Sequence, residues 1–165
     1  MGNNARNLGE LGINLQKIVT RLTNNQNLLK LLYYNNKDPL ANADLTDKQI
    51  KDEIFETLIK VVPRVGPKET ANSLISLRIV RGHMNPKNNE FMDIGIGIEV
   101  FVPLTQWIIK DSNLRPFAIM GEIHKSLNNK VINGLGRLQG GDFDLNFLTD
   151  EIGCYEMVYG LVQYE

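Results

Sequence analysis

The sequence predicts an α+β fold: an antiparallel or mixed β-sheet flanked by helices, with a helical N-terminal third. Two observations carry that expectation. In the first third, apolar residues recur every three or four positions, the period of a helix. From about residue 70 the period switches to two, interrupted by one more helical stretch. Helices and hairpins are thus segregated along the chain, which suits a sheet with helices on one side.

Taken in order, residues 1–7 are polar and read as a flexible lead. The stripe Leu11, Leu15, Ile18, Val19, Leu22 predicts a first helix that pauses at Asn24-Asn25. Leu28, Leu29, Leu31, Leu32, Tyr33 and Tyr34 follow with Lys30 as the only charge. This predicts a short second helix, apolar nearly all round and therefore buried in the core or in a subunit contact. Thr46-Asp47-Lys48-Gln49 fits a capping box, with Thr46 as N-cap and Gln49 at the third helical position. The helix it opens is expected to run through Ile50, Ile54, Phe55, Leu58 and Ile59 and to end by Val62, ahead of Pro63. The span 8–62 is thus read as helical and 70–165 as sheet with one inserted helix, all within a single domain of residues 1–165.

In the second half, Ile75, Leu77 and Ile79 predict a strand. A polar connection with Asn85-Pro86 and Asn88-Asn89 leads into the clearest strand, where Ile94, Ile96, Ile98, Val100 and Val102 alternate with Gly95, Gly97, Glu99 and Phe101. The glycines leave backbone bare on one face. Pro103 closes the strand, and Trp107-Ile108-Ile109 forms an apolar turn. Asp111, Ser112 and Pro116 announce a helix, with Phe117, Met120, Ile123, His124 and Leu127 assigned to its inner face and Asn128-Asn129 as its stop. Phe143, Leu145 and Phe147 predict a strand, and Tyr155, Met157, Tyr159 and Leu161 a last one. That final strand, close to the C-terminus, is expected to be an edge available to a neighbour.

Composition narrows the function classes. The chain has 165 residues, 42% hydrophobic and 22% charged, with a net charge of −1. That length can bury a core without disulfides or metal, and the charge balance argues against a dedicated nucleic-acid or membrane-surface binder. The single cysteine, Cys154, allows no intramolecular disulfide and no multi-cysteine metal site. The chain is expected to be made in a reducing cytosol and to cross no membrane.

Candidate chemical groups are sparse. His83 is read as solvated and His124 as a core or interface histidine, and they do not form a pair at metal-binding spacing. Cys154 lacks a local base and is read as a buried structural thiol. Asp142 and Asp144 share one face of a strand; such a pair could hold a divalent cation, but is also what a half-exposed strand shows. Gly134-Leu135-Gly136 precedes a strand and lacks the Lys-Ser/Thr ending of a phosphate loop, so it is a turn. Arg64, Lys68, Arg78 and Arg81 form the best basic group, able to meet phosphate without reading sequence.

The run from Leu114-Arg115-Pro116-Phe117 to Leu127-Asn128 is followed by Ile132 to Gly136, by Phe143 to Leu148 and by Tyr155 to Tyr159, with Ile94 to Val102 ahead of it. Asn27 to Tyr34 adds a looser N-terminal match. Over about residues 70–165 this order and spacing resembles the tail terminator and tail-completion proteins of long-tailed bacteriophages. The resemblance implies a non-enzymatic virion protein without cofactors. It would form a homo-oligomeric ring, commonly hexameric, in the neck, joining tail tube to head connector, with DNA passing through and assembly in the host cytoplasm. On that reading Leu31, Tyr33, Tyr34 and Trp107 are assigned to subunit contacts, and Arg64, Lys68 and Arg78 to the lumen. The long helical N-terminal third departs from the pattern and leaves a neck connector or stopper open. Rival readings are a small phage protein that inhibits a host protein, and an enzyme using Asp142 and Asp144 with a divalent ion.

Overall fold

Caps and burial set the N-terminal helices. A computed structural model describes residues 7–63, 65, 71–88 and 90–162. The side chain of Asn7 accepts from the Glu10 N–H at 3.0 Å and opens a 3-10 turn, Leu8–Glu10, ahead of α1 (Leu11–Thr23). Asn25 accepts from the Leu28 N–H at 3.1 Å and starts α2 (Gln26–Tyr33). Leu28, Leu29, Leu31 and Leu32 are all fully enclosed, so this helix buries its leucine face in the core, while Asn27 is exposed and Lys30 reaches Asp44 at 2.7 Å. Each such leucine contributes about 2 kcal/mol by burial.

The capping box at Thr46 forms as expected, with Thr46 and Gln49 satisfying each other's backbone N–H groups. The helix beyond it is shorter than its apolar spacing suggested. α3 (Asp47–Gln49) passes into a π-helical turn, Ile50–Ile54, and stops at Phe55; Glu56 then takes a left-handed φ of 61°. The β-branched run that follows becomes a strand, β1 (Ile59–Val61), parallel to β2. Spacing alone could not separate the two outcomes. Ile59, Val61 and Val62 are stiff at χ1 and suit a pleated surface, and in the sheet Ile59 is 1% exposed.

The remaining elements are β2 (Leu74–Met84), β3 (Phe91–Pro103), α4 (Arg115–Leu127), β4 (Val131–Ile132), β5 (Gly136–Leu148) and β6 (Ile152–Val162). The mixed six-stranded sheet has the order β1-β2-β3-β6-β5-β4. The last strand is therefore not an edge, contrary to expectation: β6 lies between β3 and β5 and pairs antiparallel with both. Among the described residues the edges are β1, whose outer side is bridged at Ile59 by Phe55, and, beyond the short β4, the outer side of β5.

The alternating residues Ile94 to Val102 of β3, with Ile75 and Leu77 of β2 and Met157 and Tyr159 of β6, meet α1, α2 and α4 in one core. Among the described residues the opposite sheet face carries no helix. At one end it holds a small cluster of Val65, Leu74, Phe101, Ile152 and Cys154; beyond it lie polar residues, with Val80 among them. α4 presents Pro116, Ile119, Met120, Ile123 and Leu127 to the core, while Phe117 (40% exposed) and His124 turn outward. The helix is thus rotated from the assignment made on sequence, and His124 is an exposed residue whose Nδ1 lies 3.1 Å from the Tyr159 hydroxyl. No helix among the described residues is long and apolar enough to cross a membrane.

Arg115, at the start of α4, ties the helical layer together. It is 1% exposed, and among the described residues its partners are backbone carbonyls. Its guanidinium donates to the carbonyls of Leu31 (2.7 Å), Tyr34 (2.8 Å), Asn36 (2.8 Å) and Gln106 (2.9 Å). The first two belong to the C-terminal end of α2, where carbonyls lack helical partners and a cation is favoured. Burial lowers its pKa from the usual guanidinium value.

Candidate functional site

The helix-free face and its β5 edge hold the features that core packing does not consume. Register places Lys60, Ser76, Glu99, Glu156 and Asp144 side by side on β1, β2, β3, β6 and β5, a polar row crossing the sheet. Arg78 lies along it. Its guanidinium donates to Glu156 Oε1 at 2.8 and 3.1 Å and stands 3.2 Å from Glu99 Oε1. Asn146 donates to Glu99 at 2.6 Å. Glu99 is 5% exposed; burial raises its carboxyl above the ordinary range, with the Glu156 charge adding and Arg78 and Asn146 opposing. One guanidinium therefore serves both glutamates, while Asp144 ends the row exposed at the sheet edge.

Gly97 makes this packing feasible. A Cβ there would stand 2.5 Å from a Val80 methyl and 2.6 Å from Glu156 Oε1. A bare backbone on β3 lets Val80 and Glu156 fold across it.

On the helix side, the β5 edge continues as an apolar surface. Phe143 and Leu145 are 56% and 53% exposed, although their alternation with Asp142 and Asp144 had suggested a buried side. Both strand faces are open there, between register shifts at Gly140/Phe143 and Leu145/Phe147. Phe117, Met120, Phe143 and Met157 line an apolar cavity of about 350 Å³ beside the edge. Aromatic rings extend the surface: Phe117 lies 5.1 Å and Trp107 6.3 Å from Tyr155 between centroids. A Cβ on Gly153 would sit 2.4 Å from the Trp107 ring, so the indole packs directly against that glycine.

The sequence-derived contact residues divide. Leu31 is 1% exposed and spent on the core. Tyr33 and Tyr34 are half-buried, pack edge to face at 5.1 Å, and send their hydroxyls to Glu53 (2.7 Å) and the Ala43 carbonyl (3.0 Å). Trp107 is half-buried beside the aromatic surface. Of the lumen candidates, Arg64 and Lys68 lie outside the described residues. Arg78 is bound to Glu156 and Glu99 rather than offered to phosphate. Arg81 stands 3.3 Å from Asp93. Cys154 is fully enclosed, and burial, with Glu99 and Glu156 nearby, pushes its thiol up to about 12, which suits an inert structural cysteine. His83 is exposed at the end of β2. Among the described residues there is no metal-holding group of His, Cys, Asp and Glu. Phe143, Leu145 and the cross-sheet row were missed because only strand register brings them together.

The chain matches the YomW family model over residues 25–161, most of its length. It belongs to the YomW family. That family is phage-derived, so this YomW-family chain is a phage-associated protein. No curated protein matches it. The matched span runs from the cap of α2 to the end of β6 and includes the polar row and the β5 edge.

Proposed function

We propose that this phage protein is a ring-forming structural subunit of the virion neck, a tail terminator or tail-completion protein joining tail tube to head connector. The observation that carries the reading is the β5 edge. From Gly141 onward no strand lies beside it among the described residues, and it displays Phe143 and Leu145 next to the Phe117–Tyr155–Trp107 surface. An unpaired edge with contiguous apolar area favours a protein partner over a small substrate, because backbone bonds supply affinity and side-chain contacts supply fit. Identical subunits meeting around an axis would bury that area, and the ring would end tube growth by its geometry. The phage origin and the order of elements from β3 to β6 support the neck as its place. In this role the protein does no chemistry, and DNA passes through the ring without being read.

Deleting the gene tests the reading. The expected result is accumulation of separate heads and tails, with the protein found by mass spectrometry in purified wild-type particles. Normal joined particles from the deletion, or a protein absent from particles and recovered with a host enzyme, would replace this reading with that of a host-directed inhibitor.

A further inference from the structure

We propose that copies of this chain join in pairs about a two-fold axis, β5 adding antiparallel to β5 of a second copy, with Phe143 opposite Leu145 on either side of the axis and Asp144 facing its own copy. This rests on the ring reading, in which copies meet at the β5 edge. It adds that the contact is symmetric, so an assembly built through it holds an even number of chains.

Backbone direction carries the argument. In an antiparallel ladder, opposed residues either turn their N–H and C=O groups toward each other or both turn them away, and the two cases alternate. The Ile152 carbonyl accepts from the Thr149 N–H across the β5–β6 turn, so Ile152 turns toward β5. β6 pairs with β3 without interruption from Ile152 to Gly160. Alternation therefore turns Glu156 toward β5, and Tyr155 and Met157 toward β3. Asp144, opposite Glu156, is spent on β6. Phe143, opposite Met157, and Leu145, opposite Tyr155, turn their N–H and C=O groups to the outer side. β4 meets β5 at Gly136 and Arg137, ahead of this stretch, so among the described residues no strand takes those groups.

The stretch has the same chemistry from either end: apolar, acidic, apolar. A second copy running antiparallel and centred on Asp144 therefore matches it. Phe143 of each chain meets Leu145 of the other, each such pair exchanging both of its backbone hydrogen bonds. Their side chains, more than half exposed in the single chain, cover one another on the side of the sheet that carries the helices. This match to itself selects a second copy as the occupant.

Other placements lose the match. Centring on Phe143 sets Leu145 opposite Gly141 and Asp142 opposite Asp144 on both sides of the axis. Centring on Leu145 brings in Phe147, whose backbone turns to β6 opposite Cys154, beyond the register shift. At the other end of the sheet, β1 is bridged at Ile59 by Phe55, and the Ile59 carbonyl accepts from the Glu56 N–H. β2 runs on past β1, but register shifts at Ile79/Arg81 and His83/Met84 break its outer side. In the pair centred on Asp144, the two carboxylates face each other on the helix-free face, where like charges repel. Both are exposed to solvent and screened, so they weaken the pair without preventing it.

Asp144→Cys tests the axis directly. Residues opposed at such a position bring their Cβ atoms within reach of a disulfide, and the native Cys154 is fully enclosed. With diamide, which takes up the hydrogens of both thiols, this variant is expected to form a covalent dimer, whereas Lys48→Cys, exposed on α3, is expected to stay unlinked. Asp144→Asn is expected to strengthen association by roughly two- to fivefold, and Phe143→Ser to weaken it by about tenfold or more, both read by light scattering on variants that melt close to the wild type. Asp144→Lys mixed with the wild type is expected to give mainly mixed pairs by native mass spectrometry, because lysine then faces aspartate. An assembling chain in which Asp144→Cys gives no more covalent dimer than Lys48→Cys, or in which Asp144→Asn weakens association, overturns the two-fold joint and leaves the ring reading standing. A wild type that stays monomeric at every concentration overturns both.

Discussion

Two arginines hold the molecule together, and they do so against opposite kinds of acceptor. Arg115, within the helical layer, is answered by four neutral carbonyls and leaves nothing over. Arg78, on the helix-free face, is answered by two carboxylates whose row runs on to a third, Asp144, at the edge. The first site is closed within one chain. The second runs on to an acidic residue exposed at the sheet edge. Packing follows the same division: leucines of α2 are fully enclosed on one side, whereas Phe143 and Leu145 stand more than half exposed at the β5 edge.

The largest effect is expected at the closed site. Arg115→Met removes every donor from the α2 carbonyls and should cost about 3–5 kcal/mol, read by chemical denaturation. Arg115→Lys should recover only part of it, since an ammonium cannot reach four acceptors in the planar arrangement. If Arg115→Met melts like the wild type, the helical layer does not depend on this clamp. Next comes Arg78→Met, which leaves Glu99 and Glu156 facing each other; a loss of about 2–3 kcal/mol is expected. The deficit should shrink in acid as the carboxylates protonate.

Glu99→Gln sharpens the comparison through its sign. Burial raises the Glu99 carboxyl in the fold, so between its ordinary and raised values the folded chain keeps a proton that the unfolded chain has released. Stability from this group is complete below the ordinary range and is lost as pH climbs through the raised value. The variant should therefore melt about 2–4 °C above the wild type at neutral pH, with the gap narrowing toward acid. A gap of opposite sign would mean that the charged form of Glu99 is the one the fold favours. Asp144→Asn should change stability least, by a few tenths of a kcal/mol, because the side chain is exposed at the sheet edge.

What was legible in the sequence was local. The stripe Leu11 to Leu22, the Thr46–Gln49 capping box and the alternation Ile94 to Val102 each specify their element from neighbours in sequence, and each forms. β1 was not legible, since Ile54, Leu58 and Ile59 fit a helical period while the β-branched residues favour the sheet that accepts them. The rotation of α4 escaped as well: Phe117 and His124 fit a helical stripe as well as Pro116 and Ile119 do, and only the sheet beneath selects between them. The central place of β6 is a property of topology, invisible to any window. The candidate surface was harder still. Alternation in Phe143 and Leu145 signals a buried side, and only the lack of a covering element beside β5 turns that side outward. Lys60 and Asp144 are linked by nothing in the sequence; five strands in register place them at opposite ends of one row.

Native mass spectrometry of the purified full-length chain, over a rising concentration series, puts the account to its most direct test. It predicts one dominant closed assembly, a fixed multiple of the chain mass, in which Phe143 and Leu145 are shielded from solvent. A chain that remains a single copy throughout the series, with Phe143 and Leu145 still exposed to solvent, would contradict it.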